Sequence, residues 1–189
     1  MRVIIKNAYE RGRRMDILDW RNNQYGYPIP VSGYSDQPYA VKTEDGAWLL
    51  TVTTGSGAEG AAGQHVVSVR SKDRGKTWEE PLDVSPADAP ESSYSVLYKT
   101  DYGRIYCFYN YNADDLRAVR AENPPFRDGL CRRVDTQGHF VFRYTDDGGR
   151  SWSEKWYDVS HSHIRMFFRC GGYGVISEMG LHRFSRFGL

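Results

Sequence analysis

An eight-residue phrase occurs twice in this chain, as Ser71-Lys72-Asp73-Arg74-Gly75-Lys76-Thr77-Trp78 and as Thr145-Asp146-Asp147-Gly148-Gly149-Arg150-Ser151-Trp152. In both copies a hydroxyl residue is followed two places on by Asp and two further by Gly, then by a second hydroxyl residue and Trp. Such a phrase reads as a β-turn with its own hardware. Gly takes a backbone angle that other residues resist, the Asp carboxylate accepts bonds from turn amides, and Trp pins the turn to a sheet. Strand-like runs precede both copies, so each predicts a hairpin corner.

The flanks repeat as well. From Tyr34 the chain reads as strand (Pro38 to Thr43), turn (Glu44-Asp45-Gly46), strand (Ala47 to Thr54), small-residue loop (Gly55 to Gly63), strand (Gln64 to Arg70), first phrase, and strand (Glu79 to Val84). The second unit follows the same order: Ser93 to Thr100, the turn Asp101-Tyr102-Gly103, Arg104 to Tyr111, a long polar loop over 112–137, His139 to Tyr144, the second phrase, and Lys155 to Val159. Four short antiparallel strands per unit is the form of a propeller blade. The phrases stand 74 positions apart, against roughly 40 to 50 for most propeller repeats. The excess lies in the 112–137 loop, and such insertions gather on one face of a repeat protein.

The corner phrase resembles the Asp box of the sialidase-like β-propellers, also called the BNR repeat. In those proteins it is a structural turn away from the active face. The resemblance covers residues 34–159 and implies an all-β fold, a partial β-propeller of two four-stranded antiparallel blades (34–86 and 87–159). Family members have about six blades, so roughly a third of the usual architecture is expected here. The chain therefore reads as a fragment of a longer enzyme, with self-association into a ring as the alternative. Residues 1–33 read as a lead-in segment, with a short strand at Arg2 to Lys6, a helical turn over Glu10 to Asn23, and no regular structure from Tyr25 to Pro30. Residues 160–189 carry one acid, Glu178, and no phrase of the earlier type. They read as an atypical tail or the start of a third blade.

Topology places the candidate chemistry. If the phrases lie between third and fourth strands, the starts of the first and third strands lie at the opposite end of each blade, where the sialidase family carries its active site. His65 and His139 hold equivalent positions there, each just before its third strand. An imidazole at that place can serve as acid or base near neutral pH; the alternative is a repeated structural bond to a neighbouring loop. Asp36, Glu59, Glu91, Asp114 and Asp115 fall at the same end, and glycoside hydrolysis needs acidic groups flanking the scissile bond, sialidases replacing one by Tyr. The expected catalytic residues are His65, Asp36 and Glu59. His139, Gln37, Tyr39, Glu91 and Arg132 are expected to bind substrate, with Tyr34 and Tyr94 completing a sugar-facing rim. Arg117, Arg120, Arg127, Arg132 and Arg133 crowd the long loop and suit an anionic sugar, or else a solvated surface.

The likeness also departs from the sialidase pattern. The Arg-Ile-Pro motif expected at the first strand, whose Arg grips the substrate carboxylate, is replaced by Asp36-Gln37-Pro38. The acid/base Asp of the third strand is replaced by Gly63 or His65. The nucleophilic Tyr and its Glu partner belong to later blades. Three functions follow: a sialidase-like glycoside hydrolase acting in exo fashion on glycans, a propeller that only binds carbohydrate or protein, and a polysaccharide lyase on the same fold.

Composition excludes other classes. Lys plus Arg total 25 against 24 for Asp plus Glu, so no global field points to nucleic acid or membrane. Cys107, Cys131 and Cys170 have no paired spacing, so neither a disulfide framework nor a zinc site is expected. No cofactor or metal is expected; the expected partner is a glycan or glycoconjugate. As written, the N-terminus lacks a signal peptide, which reads as cytoplasmic; a true start further upstream would make the protein secreted or periplasmic.

Overall fold

The computed structural model describes residues 2–3, 22–120, 128–132, 138–159, 164–169, 172–177 and 180–183. Among these residues all regular structure is strand apart from a 3-10 turn at Asn23–Tyr25, which Asn22 caps by accepting the Gln24 N–H. No helix among them is long and apolar enough to cross a membrane. The rest of the helical turn expected before Asn22 lies outside the described residues.

β1 (Arg2–Val3) pairs antiparallel with β2 (Tyr27–Pro28). This corrects the expectation that Tyr25 to Pro30 holds no regular structure. Pro28 is tolerated because both strands of a two-stranded ribbon are edges, where a missing N–H breaks no ladder. β3 (Tyr34–Lys42), β4 (Trp48–Gly55), β5 (His65–Ser71) and β6 (Leu82–Asp83) then form a four-stranded antiparallel sheet in chain order. β7 (Ser92–Lys99) and β8 (Ile105–Tyr111) begin a second one. The chain leaves it for a small ribbon of β9 (Val119–Arg120) and β10 (Leu130–Cys131), so the 112–137 stretch is not wholly loop. β11 (His139–Thr145) and β12 (Tyr157–Asp158) complete the second sheet in the same order as the first. β13 (Ile164–Arg169), β14 (Gly172–Ser177) and β15 (Gly180–Arg183) make a third antiparallel sheet of three strands.

Burial explains why β4 and β5 read as near-continuous apolar runs rather than alternating ones. Both faces of the first sheet are covered. On one side Leu49 and Val66 pack with Leu97, Ile105, Cys107, Tyr109 and Val141 of the second sheet, forming a shared core between the two units. On the other side Leu50, Val52, Val67 and Val69 are covered by Ile29 and Val31 of the lead-in and by Trp78. Within that shared core burial pushes the Cys107 thiol up, leaving it a packing residue rather than a reactive one.

The second sheet alternates more cleanly. Ile105, Cys107 and Tyr109 face the shared core, while Tyr106 and Phe108 join Phe140, Phe142, Tyr144 and Tyr157 in an aromatic ladder on the opposite face. The Phe142 and Tyr157 rings stack at 5.0 Å, the cross-strand contact that stabilises a sheet face.

Candidate functional site

The two Trp-bearing corners fall between third and fourth strands in both sheets, and their hydrogen bonds match. Ser71 Oγ donates to Asp73 and accepts the Gly75 N–H, while Asp73 accepts from Lys76 N, Thr77 N and Thr77 Oγ1 at 2.7–3.0 Å. In the second corner Thr145, Asp147, Gly149, Arg150 and Ser151 repeat the set at 2.6–3.0 Å. The amide and hydroxyl of Thr77 hold the Asp73 carboxyl down at about 2. Burial works to raise Asp147, but Ser151, Thr145 and the turn amides outweigh it and bring that carboxyl to about 2 as well.

The second corner also locks the sheets together. Trp152 Nε1 donates to Ser68 Oγ of β5 at 2.9 Å. Arg70, whose side chain is 3% exposed, reaches Asp45 at 2.9 Å and donates to the Gly148 carbonyl. Arg150 reaches the same Asp45 oxygen at 2.5 Å. Thr43, with both arginines, draws the Asp45 carboxyl well below the usual range, against burial that acts to raise it. These groups are committed to one another, which makes this end of the blades structural.

The opposite end is built differently. The β3–β4 register slips between Asp36 and Tyr39, and the β7–β8 register slips between Ser93 and Val96. Each slip holds a non-glycine residue in the left-handed region, Gln37 at φ 51° and Tyr94 at φ 59°. A bulge re-aims side chains, and a strained residue there costs about 1–3 kcal/mol. Both residues line one narrow cleft, with about 10 Å³ of free space and with Asp36, Glu59 and Glu91 among the other lining groups.

Each of these carboxylates is held in place. Asp36 accepts from Tyr34 Oη at 2.9 Å and from the Gln37 N–H at 2.8 Å, a bond that stabilises the bulge. Glu59 accepts from Tyr94 Oη at 3.1 Å, so the first unit's loop and the second unit's first strand meet across the cleft. That loop is shaped by Gln64, which is 1% exposed, donates to the Ser56 and Ala58 carbonyls, and accepts the Gly60 N–H. Glu91, 1% exposed, lies 3.4 Å from Arg117 Nη1, and the same guanidinium pairs with Asp115.

The structure thus brings together Asp36, Glu59, Gln37 and Glu91, with Tyr34 and Tyr94 of the expected rim. It places the remaining expected residues elsewhere. His65 lines a separate open groove with Pro30, Val31 and Pro81, its Nδ1 3.1 Å from the Gly63 carbonyl and its Nε2 3.4 Å from Asp83. His139 Nδ1 lies 2.6 Å from Asp158. Register accounts for the parallel: Val67, two residues after His65, faces Asp83, and Val141, two after His139, faces Asp158. Both imidazoles therefore lie beside an Asp on the fourth strand of their own sheet. Tyr39 is exposed on β3 beyond the bulge, and Arg132 pairs with Asp128 beside the small ribbon. Arg127 and Arg133 lie outside the described residues. Thr53, Gln64 and Ser93 line the cleft without having been expected there. Among the described residues no group of three or more His, Cys, Asp or Glu is arranged to hold a metal ion.

No family model matches the chain. Among solved structures it is similar to the Hadza microbial sialidase Hz136, with a TM-score of 0.54 at 15% identity over 78% of this chain and 34% of that one. It is also similar to a protein of unknown function from Dyadobacter fermentans, with a TM-score of 0.47 at 19% identity over 71% and 39% of the two chains. Among curated proteins it is similar to the protein translocase subunit SecA of Picosynechococcus sp., 24% identical over 135 residues, which are 69% of this chain and 14% of that protein. The chain spans about a third of the sialidase's length and a seventh of the translocase subunit's. The likeness to the sialidase is one of fold: an all-β chain whose two four-stranded antiparallel sheets resemble a sialidase β-propeller.

Proposed function

We propose that the chain supplies two blades, residues 34–86 and 87–159, of a sialidase-like glycoside hydrolase, and that 160–189 open a third. On this reading the two Trp-bearing corners are Asp boxes, and the cleft at the far end of the blades faces the sugar. The observation that carries it is the pair of strained bulges. Gln37 and Tyr94 both hold a left-handed backbone, and both line one cleft with Asp36, Glu59 and Glu91.

Asp36 and Glu59 are the acid/base candidates, each already within hydrogen-bond reach of a tyrosine hydroxyl. Tyr94 joins them: if its oxygen attacks the anomeric carbon as the glycosidic C–O bond breaks, Glu59 is placed to accept the tyrosine proton while Asp36 gives one to the departing oxygen. Glu91 and Gln37 orient the sugar.

Incubating the longest expressed form of the protein with a panel of glycosides tests this. Release of reducing sugar is expected, falling at least about 10²-fold in Glu59→Gln and in Asp36→Asn. An ultraviolet-absorbing unsaturated product would replace hydrolysis by lyase chemistry. A second reading, a carbohydrate-binding propeller without turnover, is favoured by the small size of the cleft. Binding without product under every condition would establish it instead.

A further inference from the structure

The chain crosses from β4 to β5 over residues 56–64, and this loop brings Glu59 to the cleft. The loop has no apolar anchor. Its aliphatic side chains are Ala58, Ala61 and Ala62, none of them buried, and Gly57, Gly60 and Gly63 hold left-handed φ angles of 82–83°. Glycine loses more freedom on ordering than any other residue, so a loop of this composition keeps one shape only where polar bonds hold it.

Gln64, at the loop's end and 1% exposed, supplies those bonds. Its Oε1 accepts the Gly60 N–H at 3.0 Å, and its Nε2 donates to the Ala58 carbonyl at 2.8 Å and to the Ser56 carbonyl at 3.2 Å. One planar amide thus accepts from one neighbour of Glu59 and donates to the other. The main chain of Gln64 reaches the other sheet, where its carbonyl accepts the Ser92 N–H at 2.9 Å. Ser92 opens β7, two residues before Tyr94. Both partners of the 3.1 Å bond between Tyr94 Oη and Glu59 are therefore tied to one residue.

We infer that Gln64 is a positioning residue, holding Glu59 against Tyr94 through its side chain and its main chain together. Its part in a reaction rests on the hydrolase reading proposed above: there it sets the path along which the tyrosine proton passes to Glu59. A displacement of about 1 Å at a reacting group costs on the order of 10²-fold in rate, and a loop without an apolar anchor has that freedom once the amide is gone. A merely structural Gln64 would cost stability and leave the Glu59–Tyr94 contact as it stands in any variant that folds.

Gln64→Met, made in the whole chain, keeps the length of the side chain and removes its bonds. The carbon-13 shift of the hydroxyl-bearing ring carbon of Tyr94 reads the contact without substrate. Glu59→Gln should move that shift in the wild-type background and move it less than half as far in Gln64→Met. An equal displacement in both backgrounds overturns the inference. Should Gln64→Met not fold, amide exchange in the wild type decides. The Gly60 N–H should exchange at least about tenfold more slowly than those of Gly57 and Ala62, and equal exchange overturns the inference. In turnover of a glycoside, Gln64→Met should lower kcat at least about tenfold with KM within about threefold of wild type, and should cost little more when added to Glu59→Gln. Losses that multiply in the double variant overturn the inference. Absence of turnover in the wild type removes the hydrolase reading alone, since shift and exchange still decide whether Gln64 holds Glu59.

Discussion

The two ends of the blades solve opposite problems with the same backbone repeat. At the corner end, Asp73 and Asp147 each gather turn amides and two hydroxyls from within their own turn, and the sheets are joined by Trp152, Arg70 and Arg150. The carboxylate of each turn is met by its own amides and hydroxyls, so the turn repeats almost unchanged, although Trp78 Nε1 finds no hydrogen-bond partner. At the cleft end the repeated feature is a strained bulge, but the side chains it carries differ, Gln37 in one sheet and Tyr94 in the other. A corner with internally satisfied bonds stabilises the fold. A bulge that keeps a costly backbone angle while varying its side chain is, on the function proposed above, arranged for a ligand.

The largest expected effect breaks the corner end. Gly149 has φ +87°, and a Cβ there would stand 2.4 Å from Leu49 Cδ1 in the shared core. Gly149→Ala combines left-handed strain with overpacking and should destabilise by about 2–4 kcal/mol. That lowers the melting temperature by roughly 4–16 °C for a chain of this size, which calorimetry measures.

Next comes Asp147→Asn, which removes a charged acceptor of two amides and two hydroxyls. The loss should be about 1–3 kcal/mol at neutral pH. Its pH dependence has a definite sign. The folded carboxyls of Asp73 and Asp147 lie at about 2, below the ordinary 3.8. Their contribution is therefore full above about pH 4 and lost as pH falls through about 2. Acid unfolding curves of wild type and of Asp147→Asn should converge near pH 2.

The smallest effects sharpen the contrast most. Arg74, at φ 64°, occupies the corner position where the second copy has Gly148. Arg74→Gly should stabilise by about 1 kcal/mol and leave sugar binding untouched. Gln37→Gly relieves a similar strain at the other end. It should also stabilise by about 1 kcal/mol, but weaken sugar binding. His65→Ala, in its separate groove, should leave activity within a few-fold of wild type. Loss of turnover without unfolding would bring His65 back to the chemistry.

Much of the fold was legible because the corner phrase encodes its own hydrogen bonds. Ser/Thr, Asp, Gly and Trp at fixed spacing specify the turn, and the strand order follows from where the two copies fall. The fourth strands proved shorter than their sequence implied, two residues each, because only Leu82–Asp83 and Tyr157–Asp158 pair. The carboxylates of the cleft were also legible, since Asp36, Glu59 and Glu91 all flank strand starts at one end. Their separation from His65 was not. Residues at the same end of a sheet can face opposite sides of it, and strand counting does not report which side. Nor does sequence mark the second bulge. Pro38 punctuates the first, whereas Ser93-Tyr94-Ser95 reads as ordinary strand. Thr53 was hidden for a related reason, because a threonine in a β-rich run reads as core until its neighbours are known to be paired and it is not.

The proposed separation of a structural end from a ligand-facing end is tested most directly by mapping amide and side-chain chemical shifts while a neutral methyl glycoside is titrated into the isotopically labelled chain. Shifts confined to Gln37, Thr53, Glu59, Gly60 and Tyr94, with Trp78, Trp152 and His65 unmoved, are the predicted result. Shifts centred on the two tryptophan corners, or on the His65 groove with the cleft silent, would contradict it.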